Sequence, residues 1–291
     1  MSNVVESVRD RLGAMVFARV AGVEGPQRRD RIHGEEGVRR FNHDDPIQIV
    51  HSDASMFIGG IRALLLQSLH PLAMAAVDQH SGFRGDPWGR LQRTSTFLAE
   101  TTFGTEEMAQ RAVDIVHAVH NRVVGIAPDG RPYAANDPHL LLWVHIVEVD
   151  SFLTAFDHYG RRTLTQPERD TYVEQTAHVA RALGAEEPPT TTAELAACLE
   201  RYRPELETTH AARHTARYLL FRPPVPLTLR PGYTLLSAAA VGLMPRWSRM
   251  PLRLPYLPIA EATAVRVTGV AITATIRWIM RPPRSGPGAE A

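Results

Sequence analysis

Apolar residues recur along this chain at spacings of three and four, and strand-like alternation is scarce, so the pattern predicts a nearly all-helical protein. A first helix is predicted over residues 6–20, followed by a polar stretch over 24–45, containing GPQRRDR and HDDP, that reads as a loop or lid. From 54 to 80 the chain is strongly apolar, through FIGGIRALLLQSLHPLAMAAVDQH. Gly59 and Gly60 would let another helix or a ligand come close. Pro71 forces a kink or break near His70, because it lacks a backbone donor and its ring clashes one turn back. A turn over SGFRGDPWGR launches a helix over 88–101. Thr105, followed by Glu106 and Glu107, caps another that runs to 124. A long turn around PDG covers 125–136, and Asp137-Pro138, an N-cap with proline at N1, opens a long apolar helix to Tyr159.

Helices are predicted next over 166–183, 192–203 and 205–221, the first two separated by EEPPTTT. The segment RPPVPLTLRPG reads as an extended surface crossing. Two further apolar helices, over 233–243 and 261–280, end the fold before a tail, RPPRSGPGAEA, expected to be disordered. No internal repeat and no linker between two cores is visible. The organisation expected is an all-α protein with a single large helical domain over 46–280, an N-terminal helix and polar loop over 1–45, and a disordered tail over 281–291.

Composition narrows the chemistry. At 291 residues and 44% hydrophobic, the chain can fill a sizeable core. A net charge of +1 makes no field for nucleic acid, which is not expected as a partner. All 32 basic residues are arginine, which removes lysine nucleophiles and Schiff-base chemistry and reads as compositional bias. The single cysteine, Cys198, excludes an intrachain disulfide and a cysteine-based zinc cluster, and fits a reducing compartment. The first twenty residues lack the continuous apolar run of a signal peptide, so a cytoplasmic location is expected. The apolar segment 264–280 is interrupted by Arg266 and Arg277, which suits a core helix or an amphipathic surface helix touching a membrane without spanning it.

Among the 13 histidines, His33, His43, His51 and His139 fall in polar or turn contexts, where a solvated ring is the expectation. His120 shares an apolar stripe with Val113 and Val116, and His117 lies one turn earlier; a histidine there is either a hydrogen-bonded core residue or a ligand. His145 shares a stripe with Leu141, Leu142 and Phe152. Glu148, three residues on, either fixes the tautomer of a metal-binding ring or satisfies a buried one. Arg90, Arg93, Thr94 and Phe97 fall on one helix face, which reads equally as a solvated arginine face or as a site that binds a propionate or steers oxygen. No GxGxxG, P-loop, GxSxG or HExxH motif is present, and no ExxH pair recurs for a di-iron centre.

Several motifs together carry a resemblance. GGIRALLLQSLHPLAMAAVDQHSGF, DPWGRLQRT, VHAVHNRVVG, DGRPYAANDPHLLLWVH and LSAAAVGLMPRWSR follow in the order and spacing of the MpaB and rubber oxygenase catalytic domain, and the chain resembles that family over 57–253. Its members include fungal ER-bound oxygenases and latex clearing proteins. The resemblance implies an all-α fold related to the globin-like arrangement, with b-type haem between helices, and a haem-dependent oxygenase taking dioxygen and a hydrophobic or unsaturated organic substrate. It implies His120 as the iron ligand, and Arg90, Arg93 and Thr94 as catalytic positions, matching an arginine, a lysine and a threonine of the family's distal helix. Arg93 departs from that lysine, since a guanidinium offers no lone pair to iron. The iron would then be five-coordinate, or take water, or take His70 or His117; His145 and Arg90 complete the cofactor-binding candidates. Two other readings stay open: a helical module that binds haem to sense or store it, and a cofactor-free scaffold.

Overall fold

The computed structural model describes residues 2–80, 86–223 and 225–281, and among them every regular element except one short hairpin is helical. The first half comprises α1 (Ser2–Ala21), α2 (Gly25–Gly34), α3 (Pro46–His51), α4 (Met56–Gln67), α5 (Pro71–His80), α6 (Pro87–Phe103) and α7 (Glu106–His120). An antiparallel pair, β1 (Val124–Ile126) and β2 (Pro132–Ala134), follows with Gly125 opposite Tyr133. Then come α8 (Pro138–Tyr159), α9 (Gln166–Ala182), α10 (Thr192–Tyr202), α11 (His210–Phe221), α12 (Arg230–Gly242), the short α13 (Arg246–Arg249) and a final helix, α14 (Pro258–Ile279). Within α14, Glu261–Val265 is wound as a π-helix.

The core is built on α8. Asp137 accepts a hydrogen bond from His139 N and Pro138 occupies the first turn, as its sequence signature demands. From there Leu140, Trp143, Ile146, Val147, Phe152 and Phe156 are all buried. α4 lies along α8, and Gly59 sets how closely: a Cβ there would fall 2.8 Å from the Phe152 ring and 3.1 Å from Ser151 O. Gly60 faces open space instead. The break at Pro71 turns α5 away from α4 by 106°.

Arginine is structural here. Arg62, 3% exposed, pairs with Asp150 at 2.8 Å, donates to Ser151 Oγ at 2.7 Å and to Leu243 O at 3.0 Å, tying α4 to α8 and to the end of α12. Arg249 reaches Gly242 O, Met244 O and Glu261, and Arg277 reaches Asp53 and Tyr159 O. Each uses the fork of donors that an ammonium lacks, so bias alone does not account for these positions.

The polar stretch after α1 is not all loop. Pro26 opens α2, Ile32 is buried, and Arg28 donates to Thr96 Oγ1 on α6 at 2.9 Å. α7 stops at His120, four residues short of expectation, because Val124 is drawn into the hairpin. α11 starts only at His210, capped by Thr209. α12 begins at Arg230, since Pro231 acts as a first-turn proline, not a breaker. The turn at Gly82 and Gly85, Pro224 and the tail over 282–291 lie outside the described residues.

Two helices are long and apolar enough to cross a membrane by length and composition, α8 and α14, and a third span would arise if α4 and α5 counted as one. Hydropathy is equal at 1.3, but 61% of the α8 window is buried in the protein against 17% for α14.

Candidate functional site

α7 is amphipathic, yet only its N-terminal half, through Met108, Ala112 and Val113, is buried. Further on, Ile115 and Val119 are exposed, and Val116, His117 and His120 are half-buried. The helix packs along α6 and at most grazes α8. The turn after α9 bridges the two: His117 Nε2 donates to Ala182 O at 2.9 Å, and a Cβ on Gly184 would lie 3.9 Å from His117 and 3.8 Å from Leu141. On α8, the stripe of Leu141, Val144, His145 and Glu148 is only half-buried, while Trp143, Ile146 and Val147 beside it are closed. The half-buried faces of α7 and α8, with the α9 turn touching both, define a candidate slot.

Its polar groups are poised for a guest. The His145 Nε2 is shut away from solvent with no hydrogen-bond partner. Burial, then nearby Arg181, pushes this ring down to about 4, so it is neutral at pH 7. A buried polar atom left unmet costs about 1–3 kcal/mol. Burial pushes the Glu148 carboxyl up to about 7. Burial and the neighbouring His117 hold His120 below its ordinary value, so its imidazole carries the lone pair a metal needs.

The arginine face of α6 is split by exposure. Arg90 is half-buried and held below the usual arginine range by burial and by Arg93. Arg93 and Thr94 face solvent, with Arg93 3.4 Å from Asp86, the residue that caps α6 through Gly89 N. Phe97 and Leu98, one turn further, are half-buried.

His51 departs from the solvated ring expected. α3 is tucked between α6, α8 and α9, and His51 bonds Thr102 Oγ1 at 2.8 Å and Tyr172 OH at 3.2 Å. Burial pushes it down to about 3.

A second histidine cluster forms where α4 breaks. Pro71 frees carbonyls at the end of α4, and two are taken across the fold: Gln67 O by Trp143 Nε1 at 3.3 Å, and Leu69 O by Glu207 N at 2.8 Å. The second contact brings Glu205 beside His70, which is 2% exposed. His70 is ringed by Trp143, His139, Tyr202 and Glu205, none of them on α6 or α7. His139, placed among the solvated rings by its sequence context, is half exposed but stacks on Tyr202 with centroids 4.5 Å apart and sits 2.8 Å from Glu205 Oε2. His117 and His120 therefore lie on the α7 face and His145 on the α8 face, while His70 sits in a separate cage. Glu205 and Tyr202 lie more than sixty residues from His139 in sequence, and no spacing rule links them; the freed carbonyls at Pro71 were the one available signal.

A family model described as the ER-bound oxygenase mpaB/B'/rubber oxygenase catalytic domain matches residues 48–278. No curated protein and no solved structure gives a significant match to the chain.

Proposed function

Because the chain belongs to the mpaB and rubber oxygenase catalytic-domain family, we propose that it is a haem b-dependent oxygenase, with the cofactor in the slot between α7 and α8 and His120 as iron ligand. The observation that carries this reading is the pair of half-buried α7 and α8 faces, on one of which a buried His145 ring nitrogen is left without a partner. The residues suit the group. His120 offers a neutral imidazole, Val116, Leu141, Val144 and Phe97 offer apolar contact for a flat ring and a hydrophobic or unsaturated substrate, and Arg90 offers a guanidinium for a propionate.

When bound, haem would supply the oxygen chemistry, and the protein would tune it by ligand, polarity and access. His120 would hold the metal, while His117 is committed through Nε2 to Ala182 O and His70 sits among the cage rings. Arg93 and Thr94, at the solvent edge of α6, would supply donors to oxygen or to a polar group of the substrate. Glu148, balanced near neutrality, holds or releases a proton on the α8 side.

The test is an ultraviolet–visible spectrum of protein from haem-supplemented cells, reduced, with and without carbon monoxide. We expect a Soret band that shifts with carbon monoxide, and a loss of about tenfold or more in bound haem in His120→Ala but not in His139→Ala. A six-coordinate spectrum indifferent to carbon monoxide would favour the sensor or storage reading, and no Soret band would remove haem altogether.

A further inference from the structure

We propose that His70, His139 and Glu205 form a binding site for a divalent first-row transition metal, separate from the slot and independent of the haem proposal. One ligand atom from each lies within 4.8 Å of the others. The His139 Nε2 and His70 Nε2 are 2.8 and 3.5 Å from the same carboxylate oxygen, Glu205 Oε2. In a tetrahedral zinc site, ligand atoms about 2.0–2.1 Å from the metal stand about 3.3 Å apart, so rotations of the two exposed side chains suffice to open the centre.

The hydrogen bonds argue for a cation. Tyr202 OH donates its only proton to His139 O at 2.8 Å, so in its 3.1 Å contact with His139 Nδ1 the hydroxyl must accept. Nδ1 therefore carries the ring proton, and a neutral His139 turns the Nε2 lone pair on a carboxylate oxygen 2.8 Å away. Two acceptors at that separation need a positive charge between them, either a proton that makes His139 an imidazolium or a metal ion.

His70 decides for the metal. Its Nε2 is buried at the floor of the cluster and has no hydrogen bond, the 3.5 Å to Glu205 being too long and poorly aimed. A protonated His139 leaves this nitrogen unmet; an ion shared by all three satisfies it. On the other side of the ring, Ala73 N donates to Nδ1 in a long 3.5 Å hydrogen bond, so the ring proton sits on Nε2, and an ion bound there would move it to Nδ1 at the expense of that weak contact. Two imidazoles and one carboxylate favour a metal such as zinc or iron(II) over magnesium or calcium. Three protein ligands also leave a coordination position free. One of the three ligands, His139, also lines a cavity of about 440 Å³ with Leu142, Glu186, Glu187 and Arg201.

The experiment uses the full chain, without an affinity tag and without haem, stripped with a chelator and titrated first with Co²⁺ and then with Zn²⁺. We expect one Co²⁺ per chain, seen by its visible d–d absorption and displaced by Zn²⁺. His139→Ala and Glu205→Gln change half-exposed side chains, keep the far-ultraviolet circular dichroism of the parent, and should each weaken binding by about tenfold or more. His120→Ala should bind as the parent does. The proposal is overturned by the absence of saturable one-to-one binding, by parent-like affinity in both cage variants, or by loss in His120→Ala alone, which would put the ion in the slot.

Discussion

On one face of α8 the side chains close on one another, whereas on the adjoining face of the same turns they stay half-exposed. Trp143, 1% exposed, spends its indole donor on Gln67 O, and the rings of Tyr202 and His70 pack around it. The adjoining stripe of Leu141, Val144, His145 and Glu148 mixes apolar and polar side chains and stays half-buried, with α7 making at most a grazing contact. The difference teaches that two faces of one helix can close to different degrees. Protein interiors are close-packed, so the half-exposed face beside the unpartnered His145 nitrogen is where the haem proposal is most directly tested.

If that contrast is right, stability should report it first. Trp143→Ala should cost about 3–5 kcal/mol in urea unfolding of the haem-free protein, whereas Val116→Ala, on the slot face of α7, should cost under about 1 kcal/mol. Equal costs would mean that the slot is packed core.

A smaller effect concerns acid. His51 is enclosed like a cage residue but has both nitrogens bonded, and its folded value of about 3 lies below the unfolded 6.5. The unfolded chain therefore takes up the proton first: stability is intact above pH 6.5 and falls as the pH drops toward 3. His51→Gln should remove about one proton from the acid slope of stability, measured by unfolding at pH 7, 6 and 5; an unchanged slope would show that His51 reaches solvent.

The smallest expected effect tests the bridge between the two faces. α9 begins with a capping box, Thr165 accepting from Glu168 N while Glu168 accepts from Thr165 N, and its far end anchors His117. Thr165→Ala should cost about 1 kcal/mol and leave haem uptake unchanged. A parallel loss of haem would make the α9 terminus part of the slot's support.

Local chemistry in the sequence carried most of the fold. Asp137-Pro138, Thr105 and Pro71 each act within one helical turn, and the structure places a helix start or a break at all three. The same locality explains the misses. The end of α7 depends on Val124 finding Ala134 across a turn, and the helix at Gly25–Gly34 depends on Ile32 finding a core. His51 and His139 read as solvated because their immediate neighbours are polar; the groups that bind them, Tyr172 and Glu205, come from distant helices and loops. The α7 and α8 stripes were visible as periodicity, but which of their side chains stay half-exposed is a property of tertiary structure alone.

The bracing arginines have a consequence for the whole molecule. Arg62, Arg249 and Arg277 tie α4, α8, α12 and α14 together through carboxylates and main-chain carbonyls. Peeling away one of these helices would strand a charged donor fork without its acceptors, so elements far apart along the chain should come undone together, in a single cooperative transition.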